Sequence, residues 1–512
     1  MHHIRRIIFA CAAALGLLGG CATVNPTHDY QQAAAHIEKA TGQAGAYHPG
    51  DEALTRQKVE DLLQNGLTAG EAVQVCLLNN PSLQAKFLNI GMARADVVQA
   101  GLFSNPSLFV SSRLPAGGGR SNIEASFAQN IADLWQIPVR KRAAKRELAQ
   151  TILTISREAS DLAFDARAAY YATVGARQLH NITVENLRIA RELMDMAKAR
   201  QKAGAGNAID VNLALGQVAE AELLQESSRL AAAEAGRRLA TLLGLITDPD
   251  LLVLSEPLPE SPTEAPNSER LIRLARSWRL DLRAAEQAVG AAESRLEEQY
   301  RLIFPRVNVG LALERAERRR QFGRKPLADT ARASVAGGGL TAPEFQPRSE
   351  RKRNRRTEFI IGPSLDLELP IFDQHQAQIA KARYAYDQAI KTLDALMTAA
   401  SQEIRGAVDR LTTNWRIVKL YQEKFIPLAR TNLDLSRKSY RAGRASFLSI
   451  LEAQRFFLDS RRRYIEASQS AANTIPELER SVGRPFDDLI RETEQKARER
   501  DKAEKTEQGD GA

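Results

Sequence analysis

The chain has 512 residues, 44% of them apolar, 26% charged and 6% aromatic, with a formal net charge of +9. This composition excludes a collagen-like or low-complexity chain, and three cysteines exclude a disulfide-stapled scaffold. Many charges with few aromatics suit long helices better than one compact core, so elongation is the first expectation.

The first stretch, MHHIRRIIFACAAALGLLGGCATVNP, places Arg5 and Arg6 before an apolar run from Ile7 to Leu18, which ends in Leu18-Gly19-Gly20-Cys21. That run is too short to span a bilayer and reads as a signal peptide over 1–20. Its ending resembles a bacterial lipoprotein signal, in which Cys21 becomes the acylated first residue and carries palmitate-type chains. Two or more acyl chains anchor a protein stably where one does not. Ala22 is not the Asp that marks inner-membrane retention in such lipoproteins, so the outer membrane is implied. Residues 21–67 read as a lipid-anchored linker. Cys76 falls in an apolar helical stretch and reads as a small buried hydrophobe.

Helical periodicity begins at about 69–101. PSLFVSSRL and NIEASFAQNI, within about 107–130, then alternate apolar with polar or small residues, a strand signal, joined by PAGGGRS. Between Pro138 and Gly204 there is no proline and one glycine, Gly175, which predicts an unbroken helix of roughly 95 to 100 Å. Leu148, Ile152, Ile155, Ala159, Leu162, Ala166, Ala169, Thr173 and Ala176 give it a 4-3 coiled-coil seam. A second stripe through Phe164, Ala168, Tyr171, Gly175, Ile182, Ile189, Leu193 and Met196 predicts neighbours on two sides. His180 reads as a packed coiled-coil residue.

The helix stops at ARQKAGAGNAIDVNLALGQ, and KSYRAGRASFLSILEAQR repeats the interruption further on. Aligning Gly204 with Gly443 pairs Asn207 with Ser446, Ile209 with Leu448 and Ala214 with Ala453, an offset of 239. Gly204 and Gly443 suit the left-handed position past a helix end, and Asn207 and Ser446 sit where an N-cap oxygen accepts from the next helix. Returning helices follow at about 207–244 and 446–482. After a linker over 251–267, a helical stretch at about 268–302 matches 69–101 with an offset of 199: Leu83 with Leu282, Gly91 with Gly290, Pro106 with Pro305. Strand patterns recur at about 306–314 and 357–369, and a second long helix at Gln374 to about Ala442 is kinked at Pro427. The fold class is therefore mostly α with a small β part and an internal two-fold repeat. The first repeat covers 68–250, the second covers 268–485, and 486–512 is a charged tail.

The two strand pairs differ in their loops. Residues 315–356 hold 13 Arg or Lys and 4 Asp or Glu, a net of +9 that equals the charge of the whole chain. The excess sits in this one loop, so the charge does not point to a nucleic-acid partner; the loop reads either as a disordered, solvated extracellular insertion or as an electrostatic attachment to phosphates of the outer leaflet.

Four strands per chain cannot close a barrel wide enough to be a channel, and lipid does not tolerate open edges. With the helices leading into Asn105-Pro106-Ser107 and Phe304-Pro305-Arg306, the strand pairs, LPIFDQHQAQIAKAR and the two AG turns, residues 68–485 resemble the TolC-like outer-membrane efflux protein family, lipoprotein type. The resemblance implies a homotrimer whose chains share a 12-stranded transmembrane β-barrel above a helical coiled-coil tunnel. It implies an outer-membrane channel within a tripartite efflux or secretion system. A periplasmic membrane-fusion adaptor and an inner-membrane pump, of resistance-nodulation-division or ABC type, would be its partners. Gly204, Asn207, Ala208, Ile209, Gly443, Arg444, Ser446, Phe447 and Leu448 match the adaptor-contacting tips. Asp210 and Glu452 match positions that line or lock the periplasmic gate, and Ser449 stands where relatives often carry a second acid. The alternative is a periplasmic coiled-coil lipoprotein scaffold without channel activity, against which the alternating stretches argue.

Nothing points to an enzyme. His28, His36, His48, His180 and His375 lack metal-ligand spacing, and no phosphate loop or nucleophile motif is present. No cofactor or metal is expected.

Overall fold

The computed structural model describes residues 22–114, 121–246, 248, 252–260, 266–303, 306–319, 326–340, 355–486 and 488. Cys21 and the signal segment, residues 320–325 and 341–354 of the 315–356 loop, and the tail beyond Asp488 lie outside these residues. In chain order the elements are α1 (Thr27–Thr41), α2 (Glu52–Gln64), α3 (Ala69–Asn79), α4 (Pro81–Ala100), β1 (Ser107–Arg113) and β2 (Asn122–Asn130). Next come α5 (Asp133–Lys202), α6 (Ala208–Leu242), α7 (Ser268–Trp278), α8 (Leu280–Arg301), β3 (Val307–Arg319), α9 (Pro326–Ala336) and β4 (Arg355–Leu367). The chain closes with α10 (Gln376–Leu420), a π turn (Tyr421–Phe425), α11 (Ile426–Arg441) and α12 (Phe447–Val482). The protein is mostly helical with one small sheet. Two compact units divide it, one of residues 99–143 and 292–386 and one of the rest.

The smaller unit holds the sheet, antiparallel in the order β1-β2-β3-β4. The register aligns Leu108, Phe127 and Leu311 across three strands, and Val110, Ala125, Leu313 and Ile361 across four. Because successive side chains alternate faces, one face is apolar, and the other carries Asn130, Ser126, Glu124, Asn308, Glu314, Ser364 and Asp366. The apolar face is open in the chain: Leu108 is 73% exposed and Leu365 69%. β3 and β4 run further into the basic segment than their alternation suggests, pairing as far as Arg319↔Arg355. The ladder bonds belong to the backbone and continue where the apolar pattern has ended. The segment also contains a helix, α9, so a wholly irregular insertion is corrected.

α5 begins at Asp133, ahead of Pro138, instead of after it. Asp133 is buried and its carboxylate accepts from the Ser104 amide at 2.7 Å, which fixes the helix start, and Pro138 lies inside the helix without ending it.

In the larger unit both stripes of α5 are covered. Leu148, Ile152, Ile155 and Ala159 pack on Phe87, Ile90 and Leu83 of α4 and on Tyr30 and Ile37 of α1. Ala166, Tyr170, Tyr171 and Val174 pack on α3 and the end of α6. The linker expected over 21–67 is therefore corrected: α1 and α2 are helices, Ile37 is in the core, and buried Asp29 pairs with Arg94. The amphipathic spacing of Tyr30, Ala33 and Ile37 builds a helix face that α4 and α5 cover. Cys76 is fully buried, and burial pushes its thiol up to about 12. The described part of 251–267 is also fixed. Leu254 bridges Leu67, and the Tyr170 hydroxyl donates to the Leu67 carbonyl at 2.8 Å while accepting from the Glu256 amide at 2.9 Å.

Each helix expected at 69–101 and 268–302 is two helices. The breaks fall at Asn80 and Arg279, both extended, and 279 − 80 = 199. Pro81 disfavours helical backbone at Asn80. At both breaks the side chain turns to a returning helix. Asn80 Nδ2 donates to the Leu242 carbonyl at 2.9 Å, and Arg279 Nη1 donates to the Ser481 carbonyl at 2.9 Å, acceptors that are 239 residues apart. The same spacing separates the glycines that end those helices, Gly244 at φ 68° and Gly483 at φ 84°. A Cβ on Gly244 would lie 2.4 Å from the Asn79 carbonyl oxygen.

Arg279 is buried and also reaches Asp281 Oδ1 at 3.0 Å and Glu403 at 2.7 Å. Burial alone would raise the Asp281 carboxyl, but the Arg279 hydrogen bond and the charges of Arg157 and Arg279 outweigh it and hold the group below the usual carboxylate range. Its contribution to stability is thus in place above about pH 4 and is lost as pH falls through the lowered value. Arg279→Ala is expected to cost about 3–5 kcal/mol and to remove that acid-dependent loss, read from thermal unfolding between pH 7 and pH 3. Gly244→Ala, which combines left-handed backbone with a steric overlap, is expected to cost at least about 2 kcal/mol in the same measurement.

Candidate functional site

The candidate site is the pair of turns joining α5 to α6 and α11 to α12. Gly204 and Gly443 are left-handed, at φ 70° and 71°. The closing bonds match one for one. Gly204 N donates to the Gln201 carbonyl at 3.0 Å and Ala205 N to Arg200 at 2.9 Å; Gly443 N donates to Tyr440 at 2.9 Å and Arg444 N to Ser439 at 2.9 Å. Both turns satisfy carbonyls that the preceding helix leaves orphaned.

The restarts differ. Asn207 Oδ1 accepts from the Asp210 amide at 2.8 Å and caps α6. Ser446 makes no side-chain cap, which corrects the expectation from its position; its carbonyl instead accepts from the Ser449 hydroxyl at 2.6 Å. Of the residues expected at the outer surface, Gly204, Asn207, Ala208, Ile209, Gly443, Arg444, Ser446 and Leu448 are exposed, Ile209 by 66%. Phe447 is 1% exposed and lies edge-on to Tyr440, with ring centroids 5.5 Å apart, so it cannot be touched from outside. An apolar residue at the first position of α12 anchors the turn onto the core formed by Leu193, Ala214, Leu433 and Ile450.

Three gate candidates keep separate partners. The Tyr440 hydroxyl donates to Asp210 Oδ2 at 3.2 Å. Ser449 bonds Ser446, and Glu452 lies 3.9 Å from Arg455, which in turn faces Glu220 at 3.5 Å. Asp210, Ser449 and Glu452 are thus not gathered into one acidic cluster.

Two residues that the sequence did not single out tie the turns together. Tyr440 is buried; burial, then the charge and hydrogen bond of Asp210, push its hydroxyl pKa up. The Arg200 guanidinium stacks over the Tyr440 ring at 4.6 Å and donates to the Tyr440 carbonyl at 2.7 Å and the Ala205 carbonyl at 2.9 Å. One cation therefore spans the end of α11 and the first turn, and one phenol reaches the first turn of α6. The available signal was an aromatic within the charged run RKSYR, one turn before Gly443.

Comparison with known proteins gives this geometry its context. A model of the family described as "Outer membrane efflux protein" matches residues 271–484. Over these residues the chain is similar to that family. Members of this family are channels and not enzymes. Protein CyaE of Bordetella pertussis is 25% identical over 414 residues, covering 77% of this chain and 79% of that protein. Outer membrane protein OprJ of Pseudomonas aeruginosa is 24% identical over 520 residues, covering 95% and 98%. The solved structure of the outer-membrane channel OprN superposes with a TM-score of 0.63 at 19% identity, covering 87% of this chain and 95% of that one. The chain thus shares the fold of that channel.

Tyr440→Phe keeps the packed ring and removes one hydroxyl bonded to a carboxylate. It is expected to cost about 1–2 kcal/mol locally and to speed amide exchange around Asp210, which hydrogen exchange with mass spectrometry would read.

Proposed function

We propose that three copies of this chain form one exit duct from periplasm to exterior, the outer-membrane component of a tripartite efflux or secretion system. The observation that carries this is the sheet: β1 and β4 each have a single neighbour, and an apolar face is left open to solvent. In lipid every backbone N–H and C=O needs a partner, so β1 of one copy pairing with β4 of the next removes the edges, and three copies supply a closed barrel of twelve strands. The apolar face then meets lipid, and the face with Asn308, Glu314, Ser364 and Asp366 lines water.

The matched spacing at Gly204 and Gly443, Asn80 and Arg279, and Gly244 and Gly483 supports an internal two-fold repeat, with domains at 68–250 and 268–485. Cys21 is the acylation site, and anchors the chain beside the barrel in outer-membrane lipid. The exposed tip residues Gly204, Asn207, Ala208, Ile209, Gly443, Arg444, Ser446 and Leu448 receive a periplasmic membrane-fusion adaptor that links the duct to an inner-membrane pump. Contact between Tyr440 and Asp210 holds the two turns together and the tunnel shut; its loss lets the helix pairs shift to another packing.

Two measurements test this. Detergent-purified protein should run as a species of about three times the chain mass with heat-sensitive β structure, and a monodisperse monomer would sink the reading. In planar bilayers, Asp210→Ala should raise single-channel conductance by about threefold or more over wild type; unchanged conductance would remove Asp210 from the gate while leaving the duct in place.

A further inference from the structure

The buried core of the larger unit is interrupted. Apolar clusters involving α5 reach Val174 from one side and begin again at Leu187 and Ile189 towards the turns. Between Val174 and Leu187 the buried side chains of α5 are Ile182, Thr183 and Asn186. The neighbouring helices are polar or irregular at the same level. On α6, buried Ser228 lies 2.7 Å from the Thr183 hydroxyl and 3.0 Å from His180 Nδ1. On α12, Gln454 Nε2 donates to Asn186 Oδ1 at 3.0 Å, and Arg461 pairs with Glu185 nearby. The π turn packs against α12, the helix that carries Gln454. That turn also separates Val418, in one apolar cluster, from Leu433, in the tip cluster.

The amide pair is half made. Asn186 and Gln454 are 3% and 2% exposed, yet Asn186 Nδ2 and Gln454 Oε1 have no hydrogen-bond partner. These leftover atoms are one donor and one acceptor, and exchanging both amide orientations leaves the same mismatch. A closely packed apolar seam resists sliding because every displaced methyl opens a void. A layer of hydroxyls and amides with an unmatched donor and acceptor can exchange partners instead, and a small slide of α12 along α5 could make the second bond. The helix that carries Tyr440 passes this level in a π turn, where the regular i to i+4 ladder is already broken.

We infer that the layer of Thr183, Asn186, Ser228 and Gln454, with the π turn Tyr421–Phe425, is the pivot about which the helix pairs of the tip leave their closed packing. Asn186 and Gln454 are positioning residues: they touch neither cargo nor gate, and set how readily the tip leaves its closed packing. This rests on the reading of the chain as a gated duct, but its first test does not need conduction.

In full-length wild-type protein, hydrogen exchange with mass spectrometry should show residues 189–197 and 433–451 exchanging together, about tenfold faster than 159–174 and 404–418. In N186L/Q454M, which fills the same volume with apolar groups, that ratio should fall to about threefold or less. Equal rates in wild type, or a ratio unchanged in the double variant, would overturn the pivot whether or not the protein conducts. If the double variant does not assemble, Ser228→Ala decides on the same readout: a ratio lowered by about twofold supports the layer and an unchanged ratio overturns it. In bilayers, N186L/Q454M combined with Tyr440→Phe should lower open probability by about threefold against Tyr440→Phe alone, and an unchanged probability counts against the pivot. If neither wild type nor Tyr440→Phe conducts at all, it is the duct that fails, and the exchange ratios still judge the pivot.

Discussion

Burial of two apolar stripes on one 70-residue helix is the constraint on which the packing of the larger unit depends. A helix with a single apolar stripe needs one neighbour, whereas α5 needs neighbours on both sides. α1, α3 and α4 cover part of it, and α6 and α12 cover the rest. Of these, α6 and α12 are followed by left-handed glycines, and the carbonyls just before those glycines are met by Asn80 and Arg279. The turns can then be short, because the helices they join are already held by α5.

Period and glycine placement made much of this legible. The coiled-coil seam of α5 rests on a 4-3 spacing that survives as buried Leu148, Ile152, Ile155 and Ala159, and the AG turns are where Gly204 and Gly443 placed them. What stayed hidden depends on contacts between distant segments. Pro81 marks the break at Asn80 in the sequence, but the carbonyls that the Asn80 and Arg279 side chains reach lie 162 and 202 residues away and leave no local signal. α1 reads as linker because its composition is polar, and only the presence of α4 makes Tyr30 and Ile37 a core face. At the turns, Asn207 could be assigned as a cap from its type and position alone. Ser446, of equally suitable type, makes no side-chain cap, and the Tyr440–Asp210 contact joins residues 230 apart.

The two halves of the chain keep the same backbone solutions with different side-chain chemistry. Asn80 is neutral, while Arg279 brings two carboxylates with it. The first restart is capped and the second is not, so the second turn is held by apolar Phe447 and by Arg200 reaching across from the first half. Backbone geometry is shared, and the asymmetry lies in which half supplies the polar groups.

The π turn has an effect on everything after it. Its five residues hold one more than an α-helical turn would use, with the Ile426 amide donating to the Tyr421 carbonyl. One extra residue turns the downstream helix by about 100° about its axis. The angular phase that lets Leu411, Trp415 and Val418 face inward therefore differs from the phase that aims Ala429, Leu433 and Tyr440. Pro427, which cannot donate to the Glu423 carbonyl, keeps the offset from relaxing into ordinary helix. A single proline thus sets the azimuth at which Tyr440 can meet Asp210.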